Sequence, residues 1–377
     1  MDHGIGEGTL RNGLYVKSKT SHYSARQLSL YLDRVGYTPK EHSDENLIAD
    51  GLFPANLENL GRLIPLHLLA FPFENTAMHY TPEHAMELEP HNLYRRLMDE
   101  RKGSYCFGHN SFFLYVLRGL GYRAYNIVGK VNIHNDLEPI EYPPQGHLLI
   151  LVQPIPSSNI TYLVDVGFGL GPTRPILLTD SDKSVISGTT SSERFRLQRR
   201  ADPRTSLESH QCYGLDWVLE TQHVNSRTPD PSTAPWMPRY SFSEAEFYEN
   251  DIYNTSFCVC ASLHGKIFQH NVFVVKLFLL DSERNLIFDA DKIATELAAN
   301  GDVSRCDFGR AILLGRNLTF TRGGESEIRM LETEDERIGI LKDVFDIMIK
   351  DEEKEYIKGL PSALQHAELH YASRLSG

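Results

Sequence analysis

The stretch KGSYCFGHNSFFLYVLRGLG, residues 102–121, is where the chain changes character. Phe113, Leu117 and Leu120 form one stripe at helical spacing, flanked by Phe112 and Val116. Gly119 and Gly121 stand where such a helix would end. Its first turn falls at residues 105–108. Upstream, residues 24–120 read as mostly helical. Ser24 and Gln27 have capping-box spacing, Leu28, Tyr31, Leu32 and Val35 follow on one face, and Gly36 is placed as a stop. A second apolar segment, 57–69, contains Pro65, which predicts a kink or two short pieces. Leu93 and Leu97 mark a third helix that stops near Gly103.

Downstream of Gly121 the pattern becomes that of strands. Residues 122–131, 147–152 and 161–166 are candidates, separated by Pro, Gly, Asn and Ser, with a further hairpin from 195–198 and 213–220. Segments 179–194 and 221–236 read as loops or a linker. In the last third, 257–263, 272–280, 286–289 and 318–321 look like strands. Thr333 and Glu336 start a helix that Ile338, Leu341, Phe345 and Met348 line on one face. Helices, then strands, then a mixed unit predict an α+β fold in three regions. These are an N-terminal helical region at 1–120, a β region at 121–222, a linker at 223–240 and an α/β region at 241–377.

The bulk properties exclude several classes. The chain has 377 residues, 41% hydrophobic and 23% charged, in the range of an ordinary globular protein. A formal net charge of −12 argues against nucleic acid as a partner. No apolar run reaches membrane-spanning length, so no membrane association is expected. The five cysteines have no CxxC spacing and do not form a disulfide framework, which predicts a cytoplasmic protein with reduced thiols. No metal-ligand set, P-loop or dinucleotide fingerprint is present.

One of those thiols stands apart. Cys106 follows a Gly-Ser pair and sits in the first turn of its helix, where unpaired backbone N–H groups favour an anion. Bringing an ordinary thiol from ~8.5 to ~5.5 takes roughly 4 kcal/mol, and a helix terminus supplies at most ~2 kcal/mol. A nucleophile here therefore needs a second partner, usually an imidazolium. Without one, packing as a small hydrophobe is the plainer role. Among 16 histidines, His147 stands out at the entrance to the strand 148–152, beside the loop 141–146. His109, on the same helix as Cys106, and His134, in a polar loop, are rivals. Asp165 ends the strand 161–164 among apolar neighbours, where an unpaired carboxylate is costly. It is either a turn cap or the partner of His147 on an adjacent antiparallel strand. Cys, His and Asp in this order are the parts of a thiol–imidazole–carboxylate relay.

Four segments together resemble the arylamine N-acetyltransferases, and specifically their filamentous-fungal branch. They are 67–75 (HLLAFPFEN), 102–110 (KGSYCFGHN), 146–149 (GHLL) and 162–169 (YLVDVGFG), and the resemblance runs from about residue 24 to about 350. It implies a helical bundle, a β-barrel and an α/β lid around a cysteine-protease-like core. It also implies a ping-pong reaction in xenobiotic metabolism. Cys106 takes an acyl group from acyl-CoA, His147 shuttles the proton, Asp165 orients His147, and an arylamine accepts the acyl group. Matching positions place Phe73, Phe168 and Gly169 at the acceptor pocket. No tightly bound cofactor is implied; acetyl-CoA, malonyl-CoA or propionyl-CoA serves as co-substrate, through CoA contacts that no motif marks. A malonyl group calls for a cation near the acyl end, for which Arg174 is a candidate. No motif speaks to oligomeric state. Two positions depart from the family pattern: Ser104 stands for a second glycine, and Gly108 for Glu or Gln. A cysteine hydrolase or transglutaminase-like enzyme with the same relay, or a non-catalytic module on this fold, are the alternatives.

Overall fold

The computed structural model describes residues 7–132, 140, 142–190, 192–208, 214–224, 233–261, 267–288, 290–300, 303, 306–323 and 325–364. Helices α1 (Ala25–Arg34), α2 (Glu45–Ala49), α3 (Leu57–Ala70), α4 (Ala77–Tyr80), α5 (Pro90–Tyr94) and α6 (Cys106–Gly119) precede most of the strands. Ser24 and Gln27 form the expected capping box on α1. Asp44 and Asn56 cap α2 and α3. Pro65 lies inside α3, which runs as one helix and not as two pieces. The third expected helix stops earlier than Gly103: α5 gives way to a π turn at Arg95–Asp99. Helix α6 buries every residue from Cys106 to Leu117, which is why its apolar stripe is so broad. Past its end, Gly121 takes a φ of 92°, and Tyr122 N–H donates to Leu117 O at 2.9 Å, closing the helix with a left-handed glycine.

The strands form two antiparallel sheets. The first contains β2 (Arg123–Val131), β3 (His147–Gln153), β4 (Tyr162–Val164), β5 (Ile176–Leu177), β6 (Ile186–Ser187), β7 (Glu193–Arg200), β8 (Asp216–His223) and β9 (Trp236–Phe242), in the order β5-β4-β3-β2-β9-β8-β7-β6. It curls into a nearly closed barrel, with Ile127, Leu149, Leu163, Ile176, Phe195, Trp217, Leu219 and Tyr240 sharing one core. The other faces of β3 and β4, through Ile150, Val152 and Val164, pack on Phe112, Phe113, Val116 and Leu117 of α6. The expected hairpin appears as β7 and β8. The segment 223–240, expected as a linker, contains the first part of β9.

The second sheet joins β1 (Phe73–Glu74) to β10 (Phe273–Leu280), β11 (Leu286–Ile287), β12 (Phe308–Leu314), β13 (Asn317–Arg322) and β14 (Glu325–Met330). Thus a strand inside the HLLAFPFEN segment pairs with β10, about 200 residues later in the chain. Helices α7 (Glu249–Ala261), α8 (Ile267–His270), α9 (Ala290–Asn300) and α10 (Glu334–Asp343) complete the fold. Two expectations fail here. Residues 257–261, read as a strand, end α7, and Phe257 is 65% exposed instead of buried. The helix after Thr333 ends at Asp343, before Phe345 and Met348. Asp346 adopts a φ of 58° and Ile347 N–H donates to Leu341 O, which turns the chain and leaves Met348 exposed. Among the described residues, no helix is long and apolar enough to cross a membrane.

Candidate active site

Cys106 is the first residue of α6, with Tyr105 in the extended N-cap position. It is 4% exposed, and its Sγ lies 3.8 Å from Gly146 O, next to His147 at the start of β3. Strand β4 runs antiparallel to β3 with Ile150 opposite Val164, so Asp165 emerges beside His147. His147 Nε2–H donates to Asp165 Oδ2 at 2.8 Å. The Cys106 thiol is close enough to the imidazole to add to the stabilisation of its protonated form. The structure therefore brings Cys106, His147 and Asp165 together in the order of a relay.

The charges follow from these contacts. Burial alone would drive His147 towards its neutral form, but the Asp165 carboxylate outweighs it and holds the imidazole in its protonated form above the ordinary histidine range. Burial likewise opposes the Asp165 charge, and the His147 imidazolium, the Asn110 amide and the Gly167 N–H together keep its carboxyl below the usual range.

Asp165 has no lone pair left unsatisfied. Oδ2 accepts from His147 and from the Tyr240 hydroxyl at 3.0 Å; Oδ1 accepts from Asn110 Nδ2 at 3.0 Å and Gly167 N–H at 2.9 Å. Asn110, one helical turn after Cys106, also donates to Leu148 O at 2.7 Å and accepts from Val166 N–H at 3.1 Å, which bolts α6 to both strands. The sequence reading assigned roles to neither Asn110 nor Tyr240. Asn110 ended a quoted motif, and an inward-facing amide at that spacing was the available signal. Tyr240 lay in the expected linker.

The rival His109 belongs to a different network. Its Nε2–H donates to Pro72 O at 2.9 Å, so its Nδ1 accepts from His67 Nε2–H at 3.0 Å, and His67 Nδ1 accepts from the Tyr31 hydroxyl at 3.2 Å. All three residues are fully buried, and burial pushes His109 down to about 4 and His67 well below its ordinary value. Both are neutral structural groups. His134 lies outside the described residues.

The loop before the nucleophile is held by the HLLAFPFEN segment. Glu74 N–H donates to Ser104 O at 2.8 Å. The Arg96 guanidinium donates through Nε to Gly103 O at 2.7 Å and pairs with the Glu74 carboxylate, which is fully buried and also accepts from Thr76. The two departures from the family pattern explain each other. A Cβ on Gly108 would lie 1.9 Å from Ser104 Oγ and 2.7 Å from Ser104 Cβ, so the serine fills the space that a side chain at 108 would need.

The Phe168 ring centre lies 5.1 Å from that of His147, tilted to it, and 5.1 Å from that of Tyr240, edge-to-face. Phe73 and Gly169 approach each other, and with Asp165 they line a cavity of about 20 Å³. That is room for about one water. Phe73 and Cys106 share an apolar cluster with Tyr105, Val128, Leu148 and Ile252, and Val259, Cys260 and Phe268 of α7 and α8 pack against it. Arg174 lines a cavity of about 220 Å³ with Thr190 and Phe308, and this cavity shares Thr173 and Thr189 with the one that Asp165 lines. The cation placed against Phe168 is Arg239, 5.7 Å from the ring centre. Among the described residues, no group of three His, Cys, Asp or Glu is arranged for a metal ion.

Comparison with known proteins adds independent information. A family model described as N-acetyltransferase matches residues 56–354. An N-malonyltransferase, FDB2 of Fusarium pseudograminearum, is 27% identical over 369 residues, covering 94% of this chain and 97% of the relative. The arylamine N-acetyltransferase of Mycobacterium tuberculosis is 34% identical over 180 residues, 47% of this chain and 56% of the relative. The solved structure of Mycobacterium marinum arylamine N-acetyltransferase in complex with CoA superposes with a TM-score of 0.63 at 26% identity, covering 88% of this chain and 99% of that one.

Proposed function

The chain belongs to the arylamine N-acetyltransferase family and transfers acyl groups from acyl-CoA to an amine, and on that premise we propose that Cys106, His147 and Asp165 carry the reaction. The observation that supports this most is the buried His147–Asp165 bond of 2.8 Å beside the Cys106 thiol. An imidazolium held by a carboxylate is the second stabilising partner that a thiolate at a helix start requires.

In the first half-reaction the Cys106 thiolate attacks the thioester carbonyl. The tetrahedral intermediate collapses by breaking the carbon–sulfur bond to CoA, and the His147 proton goes to the departing CoA thiolate. In the second half-reaction the amine nitrogen attacks the acyl-cysteine, neutral His147 takes the amine proton, and the Cys106 thiolate leaves. Asp165 remains ionised throughout and fixes the imidazole. Phe73, Phe168 and Gly169 line the acceptor site, where an aromatic ring packs edge-on or stacked. The acyl group is acetyl, propionyl or malonyl. The length over which the malonyltransferase relative aligns favours testing malonyl first, with Arg239 rather than Arg174 as the cation adjoining the site. A hydrolase using the same relay has no such support from full-length relatives.

Intact-protein mass spectrometry tests the reading. The protein is mixed in turn with acetyl-, propionyl- and malonyl-CoA, without amine. We expect a gain of one acyl group on wild type, its loss on adding an arylamine, and no gain in Cys106→Ala. Absence of any acyl adduct with all three donors, together with cleavage of amides, would replace transfer by hydrolysis.

A further inference from the structure

Strand β14 is the outer edge of the second sheet. Among the described residues it is hydrogen-bonded to β13 alone, and all six of its residues are exposed. The ladder fixes which of its backbone groups are used. Leu331 N–H donates to Arg316 O at 2.8 Å, one step beyond the Met330–Asn317 pair. Hydrogen-bonded and non-hydrogen-bonded pairs alternate along an antiparallel ladder. The N–H and C=O groups of Glu325, Glu327 and Arg329 therefore face β13, and those of Ser326, Ile328 and Met330 face outward. An edge with outward-facing donors and acceptors is a template for another strand.

We infer that β14 pairs with β14 of a second copy of this chain, antiparallel about a two-fold axis through Ile328, so that the two six-stranded sheets join into one. The register follows from the residues. Strands can bond only where outward-facing residues oppose one another, which restricts the axis to a residue and excludes a point between two. An axis at Glu327 puts Glu327 opposite itself, and an axis at Arg329 puts Arg329 opposite itself, each a like-charge contact. An axis at Ile328 sets Glu327 opposite Arg329 of the second copy, and Arg329 opposite its Glu327. These are non-hydrogen-bonded positions, where side chains come closest. The Ile328–Ile328 pair and both Ser326–Met330 pairs then each exchange two backbone hydrogen bonds. On the opposite face, Ile328, 70% exposed, and Met330, 59% exposed, are covered. Charged residues commonly protect an edge against pairing; here they are laid out in a self-complementary order that selects a second copy over an arbitrary strand. The present partners of these charges, Glu336 for Arg329 and Arg322 at 3.7 Å for Glu327, are solvent-exposed pairs that exchange at little cost. The contact area is one short strand, so the dimer is weak, favoured at low ionic strength and at micromolar or higher concentration.

Sedimentation velocity on the full chain, from low micromolar to several hundred micromolar and at two salt concentrations, tests this. Wild type should dimerise with concentration and dissociate with added salt. Glu327→Arg and Arg329→Glu each convert two attractive contacts into repulsive ones and should weaken the dimer roughly tenfold or more. The double swap E327R/R329E restores complementarity and should recover the dimer. Ile328→Pro removes an outward N–H that β13 does not use and should abolish pairing; circular dichroism checks that it folds, and the charge swaps decide the question if it does not. A wild type monomeric at every concentration overturns the inference. So does a dimer indifferent to both single swaps, which would use another surface, or a double swap no stronger than the singles.

Discussion

Replacing Tyr240 by Phe removes one of the donors to the buried Asp165 carboxylate. The ring keeps its neighbours, His147 at 5.0 Å and Phe168 at 5.1 Å, so packing changes little. What disappears is one of four hydrogen bonds to Asp165, a 3.0 Å bond from a fully buried hydroxyl to a buried charge. Hydrogen bonds to charged groups are worth about 1.5–3 kcal/mol. We expect Tyr240→Phe to lose that amount in urea unfolding, with an unchanged dependence on denaturant. The effect on chemistry has a definite direction. The hydroxyl shares Oδ2 with His147 and draws off part of its negative charge; without it the carboxylate binds the imidazolium harder. Acyl uptake by Cys106 should persist but slow, because in that half-reaction His147 gives up its proton to CoA. A double-mutant cycle with Asp165→Asn isolates the cause. Against a neutral amide the hydroxyl should be worth no more than ~1 kcal/mol. A Tyr240→Phe penalty of the same size in both backgrounds would refute the claim that the hydroxyl serves the carboxylate charge.

Two further outcomes are open to measurement. His109 and His79 are pushed down to about 4, chiefly by burial, and His67 is pushed well below its ordinary value, so between about pH 6.5 and 4 the unfolded chain binds more protons than the folded one and stability falls as pH falls. His109 and His79 each remove up to about 3 kcal/mol by pH 4, while His147, raised when folded, contributes fully below about 6.5 and loses its contribution as pH climbs through its folded value. Urea midpoints should therefore peak near pH 6.5, and a flat profile down to pH 4.5 would contradict the buried-neutral assignment. In Gly167→Ala the added Cβ would lie 2.7 Å from Cys106 Cα and 2.8 Å from Cys106 O, backbone atoms that yield only by moving the nucleophile. A displacement of ~1 Å costs on the order of 10²-fold in kcat/KM; steady-state turnover within threefold of wild type would show that the site tolerates the shift.

The proposed relay was legible from the family resemblance together with a weaker local sign, since each member sits at a boundary that leaves a trace in sequence. Cys106 opens a helix, His147 opens a strand, and Asp165 closes the next. Tyr240 left no such trace. Its strand contains Pro238, which normally argues against a strand, yet the ladder with β8 shifts register here, pairing Leu219 with Tyr240 and Glu220 with Pro238. A bulge tolerates proline and bends the strand, and here the residue between the two, Arg239, lies over Phe168. Helix α7 was misread for the opposite reason. Phe257, Cys258 and Val259 look like a buried strand, but the helix buries only Ile252 and Ser256 fully and leaves Phe257 in solvent.

The position of β9 in the chain also sets a timetable. A ribosome adding ~5–20 residues per second reaches Tyr240 roughly 4 to 15 seconds after it has made Asp165, and β10, the partner of the Phe73 strand, is made later still. During that interval the nascent chain holds the three residues of the proposed relay but neither the hydroxyl that completes the carboxylate's bonding nor the strand that closes beside Phe73. The nucleophile is present early in synthesis; the environment that makes it useful is acquired only as the last third of the chain folds.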